Sequence, residues 1–108
     1  METSTYEDFT KLDLRTAIIK EVKEIEGADK LYELTLELGK ETRTIAAGIK
    51  QFYSEEELIG KTIIIIANLE PRKLRGITSE GMLLAADSDG KPVLLTTESE
   101  VESGKQIN

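Results

Sequence analysis

Four consecutive isoleucines, Ile63 to Ile66, stand between Lys61-Thr62 and Ala67-Asn68-Leu69 in a chain of 108 residues. Few folds accept such a segment. A β-branched side chain is stiff at its first torsion and favours extended backbone, where successive side chains point to opposite faces. Lys61 to Leu69 is therefore expected to be a strand, apolar on both faces at its centre, that is buried from both sides or closes a barrel. It is far shorter than the ~20 apolar residues needed to span a bilayer, so no membrane segment is expected. Glu70-Pro71 ends it, because proline cannot donate to a strand ladder and restricts the residue before it.

The rest of the chain supplies partners for this strand. Asp13 to Glu24 is rich in β-branched residues and reads as a strand. From Glu33 to Leu38 polar and apolar residues alternate without a break, which puts Leu34, Leu36 and Leu38 on one side of a half-buried strand over Leu31–Leu38. Gly39-Lys40 is a turn, and Glu41 to Ile49 returns as the other arm of a hairpin. Ser54-Glu55-Glu56-Glu57 has the spacing of a capping box, and Gly60 stops the short helix it starts. Gly81 to Ala86 reads as a further strand. Asp89-Gly90 then turns the chain into Val93–Thr97, and the polar remainder retains Val101 and Ile107. Three strands, one short helix, two strands and a tail with at least one more strand match a five-stranded OB-fold Greek-key barrel. The predicted class is all-β, with the helix between the third and fourth strands and a C-terminal β extension. Other small β-barrels share this pattern.

With 39% hydrophobic and 32% charged residues the chain has the composition of a soluble globular domain. The expected organisation is one domain over 1–108, with the barrel at about 9–86 and the extension at 91–108. The start, Met1-Glu2-Thr3-Ser4-Thr5, has neither the basic residues nor the apolar stretch of a secretory signal, so a cytosolic protein is expected. There is no cysteine and no histidine. This removes disulfides, thiolate ligands and cysteine nucleophiles, together with the usual acid–base catalyst and the commonest zinc ligand. Asp87 and Asp89 flank a predicted turn where acids are common, and Gly76 and Gly81 lack the spacing of a phosphate loop. No catalytic residue, metal or cofactor is predicted.

Binding is the better prospect. Formal net charge is −7, yet Arg72, Lys73 and Arg75 fall within four positions directly after the isoleucine strand. Such a loop can attract a polyanion locally, because acids beyond a Debye length of ~8 Å are largely screened. It can also be a solvated loop with incidental basic residues. Lys30 and Arg43 extend the patch if they share a barrel face with it. Three tyrosines and two phenylalanines are too few for a platform stacking several bases in series.

The segments "FTKLDLRTAIIKEVKEIEGADKLYELTLELG", "RTIAAGI", "EEELIGKTIIIIANLEPRKLRGITSEGMLLAA" and "VESGKQI" resemble the tRNA-binding domain family from Phe9 onward. That family includes free dimeric tRNA-binding proteins and domains of several aminoacyl-tRNA synthetases, and the methionyl type is the form this chain resembles most. The resemblance implies an OB-fold homodimer that recognises tRNA by shape. It implies a role as an accessory or β subunit beside a methionyl-tRNA synthetase catalytic subunit. Carried onto this chain, it nominates Lys30, Arg72 and Lys73 for phosphates, Asn68 and Ser79 for sugar or backbone hydrogen bonds, and Met82 as an apolar contact. Val93, Leu94, Leu95, Val101 and Ile107 are expected either to form the two-fold interface or to pack on their own barrel. A related branch, described as an export chaperone, implies the alternative of a protein-binding module.

Overall fold

The computed structural model describes residues 1–108. Strands β1 (Leu14–Glu24), β2 (Tyr32–Leu38) and β3 (Glu41–Ala47) form an antiparallel meander. Helix α2 (Glu55–Leu58) follows, preceded far upstream by a one-turn helix α1 (Tyr6–Thr10). Strand β4 (Thr62–Ile66) then pairs antiparallel with the first half of β1. β5 (Arg72–Leu74) and β6 (Ile77–Ser79) make a hairpin, and β7 (Met82–Leu83) lies against β4. β8 (Ala85–Ser88) and β9 (Lys91–Leu94) make a second hairpin.

The main sheet runs β3-β2-β1-β4-β7 and curls until its edges meet. At the seam the Glu80 N–H donates to the Thr44 carbonyl at 2.9 Å, and the Ala46 N–H donates to the Ser79 hydroxyl at 2.9 Å. β1 can serve β4 with one half and β2 with the other because a bulge between Ile19 and Glu21 turns the strand. The expected OB-type order of strands with a helix between the third and fourth is the order found.

All four isoleucines of β4 are buried, as a strand covered on both faces requires. Ile63 and Ile65 point into the core with Leu34, Leu36, Ile45 and Ile19, while Ile64 and Ile66 lie on the other face. The alternation in β2 comes out as read, with Leu34, Leu36 and Leu38 inside. In α2, Ser54 and Glu57 form the capping box in both directions, and Leu58, fully buried, is its single anchor. Truncating Leu58 to alanine removes that anchor at a cost of about 2–5 kcal/mol.

Two expectations need correction, and one helix lies where no element was expected. α1 lies in a stretch that the pattern of apolar residues left without structure; its capping box, Thr5 with Asp8, starts a helix that buries no residue, so periodicity carried no signal. The strand expected over Gly81–Ala86 is divided at Leu84 into β7 and β8. Finally, the stretch read as a basic loop is the β5–β6 hairpin.

The tail returns to the start of the barrel. Gly104 N–H donates to the Thr16 carbonyl at 2.7 Å, Thr16 N–H to the Lys105 carbonyl at 2.9 Å, and Ile107 N–H to the Leu14 carbonyl at 2.8 Å. The buried Thr16 hydroxyl donates to the Glu102 carbonyl and accepts from the Lys105 N–H. Of the apolar residues in this region, Leu94 packs on the core and Val101 and Ile107 are half-buried, whereas Val93 and Leu95 remain exposed.

Candidate nucleic-acid interface

The β5–β6 hairpin is closed by Arg75-Gly76, whose φ values of 52° and 83° are both left-handed. Two left-handed central residues define the tight turn that matches the twist of paired strands. Register pairs Arg72 with Ser79, Lys73 with Thr78 and Leu74 with Ile77. Side chains alternate along a strand, so Arg72, Leu74, Ile77 and Ser79 share one face and Lys73 and Thr78 the other. Leu74 and Ile77 are half-buried and Ser79 buried, which seats the ribbon on the barrel; Arg72, Lys73 and Arg75 are exposed. A cationic ribbon thus offers charge from both faces and from its tip.

The tip reaches the β1–β2 connection. A β-carbon built on Gly27 would lie 3.5 Å from Arg75 Nη1, so the guanidinium rests against this loop. Lys30, exposed, belongs to the same loop. Its carbonyl accepts the Lys50 N–H at 3.2 Å, tying the loop to the segment after β3. Six of the 14 basic side chains form ion pairs: Lys11, Arg15, Lys20, Lys23, Arg43 and Lys50. Lys30, Arg72, Lys73 and Arg75 are not among them; Glu70 and Glu80 flank the hairpin, and Glu26 and Asp29 lie on the loop at its tip.

Nearby Lys50 adds no net charge, because its ammonium sits 2.7 Å from the Glu24 carboxylate. That contact holds the Glu24 carboxyl below its ordinary range and the Lys50 ammonium above its own, in each case through the shared hydrogen bond first.

The other nominated residues are committed to the fold. Arg43 lies on the hairpin side of β3, but Nη1 donates to the Ala67 and Glu80 carbonyls and Nη2 to Glu41 Oε1 at 2.6 Å. Its guanidinium joins the end of β4 to the seam instead of standing free for a phosphate. Asn68 is exposed, yet Oδ1 accepts the Asp13 N–H at 2.8 Å and Nδ2 donates to the Lys11 carbonyl at 2.7 Å, so it clips the segment after α1. The Ser79 hydroxyl accepts from Ala46 and donates to the Gly81 carbonyl at 3.3 Å. Only 5% of Ser79 is exposed, which places it as a fastener of the ribbon rather than a free donor. Met82, a residue type more often found in cores, is 46% exposed on β7. Lys30, Arg72, Lys73 and Arg75 are thereby brought to the hairpin and its neighbouring loop, Arg43 and Ser79 fasten the seam at the base of the hairpin, and Asn68 ties the end of β4 to the segment after α1. Arg75 was legible as a charge; its place at the tip depends on the Arg-Gly turn.

A barrel that carries three exposed, ion-pair-free cations on one projecting hairpin, and a fourth on the loop its tip touches, has the makings of a polyanion-binding OB fold. Residues 14–106 match the family model described as "Putative tRNA binding domain", and the chain belongs to this tRNA-binding domain family. It is 55% identical over 104 residues to the methionine–tRNA ligase of Caldanaerobacter subterraneus subsp. tengcongensis, a match covering 96% of this chain but 16% of that enzyme. Among solved structures, a MetRS-related protein from Pyrococcus horikoshii superimposes with a TM-score of 0.93 at 35% identity, covering 99% of both chains. A CsaA chaperone protein from Picrophilus torridus gives 0.91 at 35% identity over 98% of this chain and 100% of the other. No helix is long and apolar enough to cross a membrane.

Proposed function

We propose that this chain is a non-catalytic tRNA-binding module that reads folded tRNA through its ribose-phosphate surface. It works in the cytosol as an accessory domain or β subunit of a methionyl-tRNA synthetase. One observation carries the reading: Arg72, Lys73 and Arg75 stand exposed and free of ion pairs on one hairpin, whose tip meets the loop that carries Lys30. A-form RNA hides its base edges in a deep, narrow groove and displays phosphates and 2′-hydroxyls, so a ribbon cationic on both faces can lie between two phosphate rows without reading sequence. Arg75 at the tip and Lys30 on the loop engage the same backbone, and Met82 adds an apolar contact.

The acidic remainder of the molecule limits intrinsic affinity. A synthetase partner holding the module near tRNA raises the effective concentration to about the millimolar range, where modest affinity suffices. Of the apolar residues after Gly90 expected at a two-fold interface, Val93 and Leu95, exposed on and after β9, are the ones available to a homodimer.

A titration of unfractionated tRNA at two salt concentrations tests this. With about 3–4 phosphates neutralised, affinity falls on the order of a hundredfold between 50 and 200 mM salt. The likeness to the CsaA chaperone protein supports a second reading, a protein-binding module. A flat salt response together with equal capture of an unfolded protein would favour that one.

A further inference from the structure

We propose that the slot between the β3–α2 connection and the β8–β9 hairpin receives one unpaired nucleobase of the bound RNA, stacked on Phe52. This rests on the tRNA-binding reading and adds a base contact to it. The slot measures about 300 Å³ and is lined by Gly48, Phe52, Ala85, Asp87, Gly90 and Pro92. That is the low end of small-molecule pockets, room for a flat ring rather than for a run of side chains.

Phe52 is the one ring of five left without a commitment. Tyr32 is buried and Tyr53 half-buried, each with its hydroxyl hydrogen-bonded, and Tyr6 packs against Phe9 at a centroid distance of 6.3 Å. Phe52 is 40% exposed. The walls of the slot are held together, since the Tyr53 hydroxyl donates to the Pro92 carbonyl at 2.9 Å and accepts the Leu94 N–H.

Continuity with the cationic face selects a nucleotide as occupant. A β-carbon on Gly48 would lie 4.0 Å from the Lys30 carbonyl and 3.9 Å from Leu31 Cδ2, so one wall abuts the lysine loop. A phosphate held by Lys30 brings its base to the mouth of the slot, the division of labour by which a basic groove tracks a backbone while an aromatic ring takes a base. Asp87 sharpens the distinction. One carboxylate oxygen accepts the Gly90 N–H at 2.8 Å; the other can accept an N–H from a base edge and repels phosphate from the interior.

The chain has no tryptophan, so Phe52→Trp installs a single fluorophore in the slot. Unfractionated tRNA is expected to quench its emission, and a blunt, fully paired RNA duplex to bind without quenching. Phe52→Ala is expected to weaken tRNA binding about 5- to 100-fold, with the salt slope and duplex binding unchanged, while Phe52→Tyr restores affinity. Thermal melts of all three variants confirm that the fold is intact. Unchanged tryptophan emission at saturating tRNA overturns the proposal, as does equal loss on tRNA and duplex, or quenching by an unfolded carboxymethylated polypeptide but not by tRNA. If the wild-type chain itself shows no salt-dependent tRNA binding, the proposed function fails with it; if it binds and Phe52→Ala binds equally well, only the slot fails.

Discussion

Arg75 rests its guanidinium against the backbone of Gly27, joining the tip of one β-ribbon to a loop nearly fifty residues upstream. Gly27 has φ +79°, a conformation that asparagine and aspartate accept more readily than other side chains. Gly27→Asp therefore puts a carboxylate beside Arg75 at the same backbone cost as Gly27→Asn. The aspartate variant is expected to lose several-fold in tRNA affinity and about 0.9 in salt slope, one phosphate contact, with the asparagine variant close to wild type. Binding curves at four salt concentrations decide it.

Arg72→Ala combined with Lys73→Ala removes two exposed cations from opposite faces of the hairpin. Every tRNA species should weaken alike, the salt slope should drop by about 1.8, and the melting temperature should hold. Selective loss for one tRNA would contradict recognition through the backbone.

Asn68 and Ser79 separate by where their damage shows. Ser79→Ala strands the Ala46 N–H at the barrel seam and should cost about 1–3 kcal/mol in urea unfolding. Asn68→Ala, at an exposed site, should cost about 1 kcal/mol and speed hydrogen exchange at the Asp13 amide, which is bonded to its side chain. Slow exchange at Asp13 in the variant would mean that the clip is dispensable.

Gly104 has φ +79°, and a β-carbon there would lie 2.7 Å from the Gly39 nitrogen. Both neighbours are backbone, so Gly104→Ala must push the tail away from the β2–β3 turn. A loss of about 1–3 kcal/mol is expected, with faster exchange at the Thr16 amide.

Acid should loosen the molecule in a traceable way. The Ser54 N–H donates to Glu57 Oε1 at 2.8 Å, and this bond holds the Glu57 carboxyl below its ordinary value. Glu24 is lowered likewise by Lys50. A depressed folded-state value gives stability that is present above the unfolded value and lost as pH falls through the folded one. Glu57→Gln is therefore expected to be less stable than wild type at pH 7, the gap closing as pH falls below the ordinary carboxylate range and through the lowered folded value. Lys50 and Arg15 are raised by their contacts with Glu24 and Asp13, so they add no separate acid dependence; on the alkaline side their share is lost as pH rises through the raised values. Denaturant midpoints at four pH values test the convergence.

How much of this was open to sequence reading follows from the range of the forces involved. The β2 alternation, the isoleucine strand, the Ser54 capping box and the Asp89-Gly90 turn are local patterns with local outcomes, and each is found as expected. The Arg75-Gly76 turn escaped because arginine is an unusual occupant of a left-handed position, which disguised a hairpin as a loop. α1 escaped because it buries nothing. At the candidate interface, charge singled out Arg72 and Lys73, which the structure leaves exposed, whereas the commitments of Arg43, Asn68 and Ser79 depend on partners 24 to 57 residues away, which spacing along the chain does not encode.

The tail lies along the start of β1. By zipping onto Leu14–Thr16 it occupies the flank of β1 that β2 leaves open, so that flank is guarded by residues 104–107. Removing residues 104–107 would bare a row of amides and carbonyls able to template a foreign strand, making the module a seed for self-association.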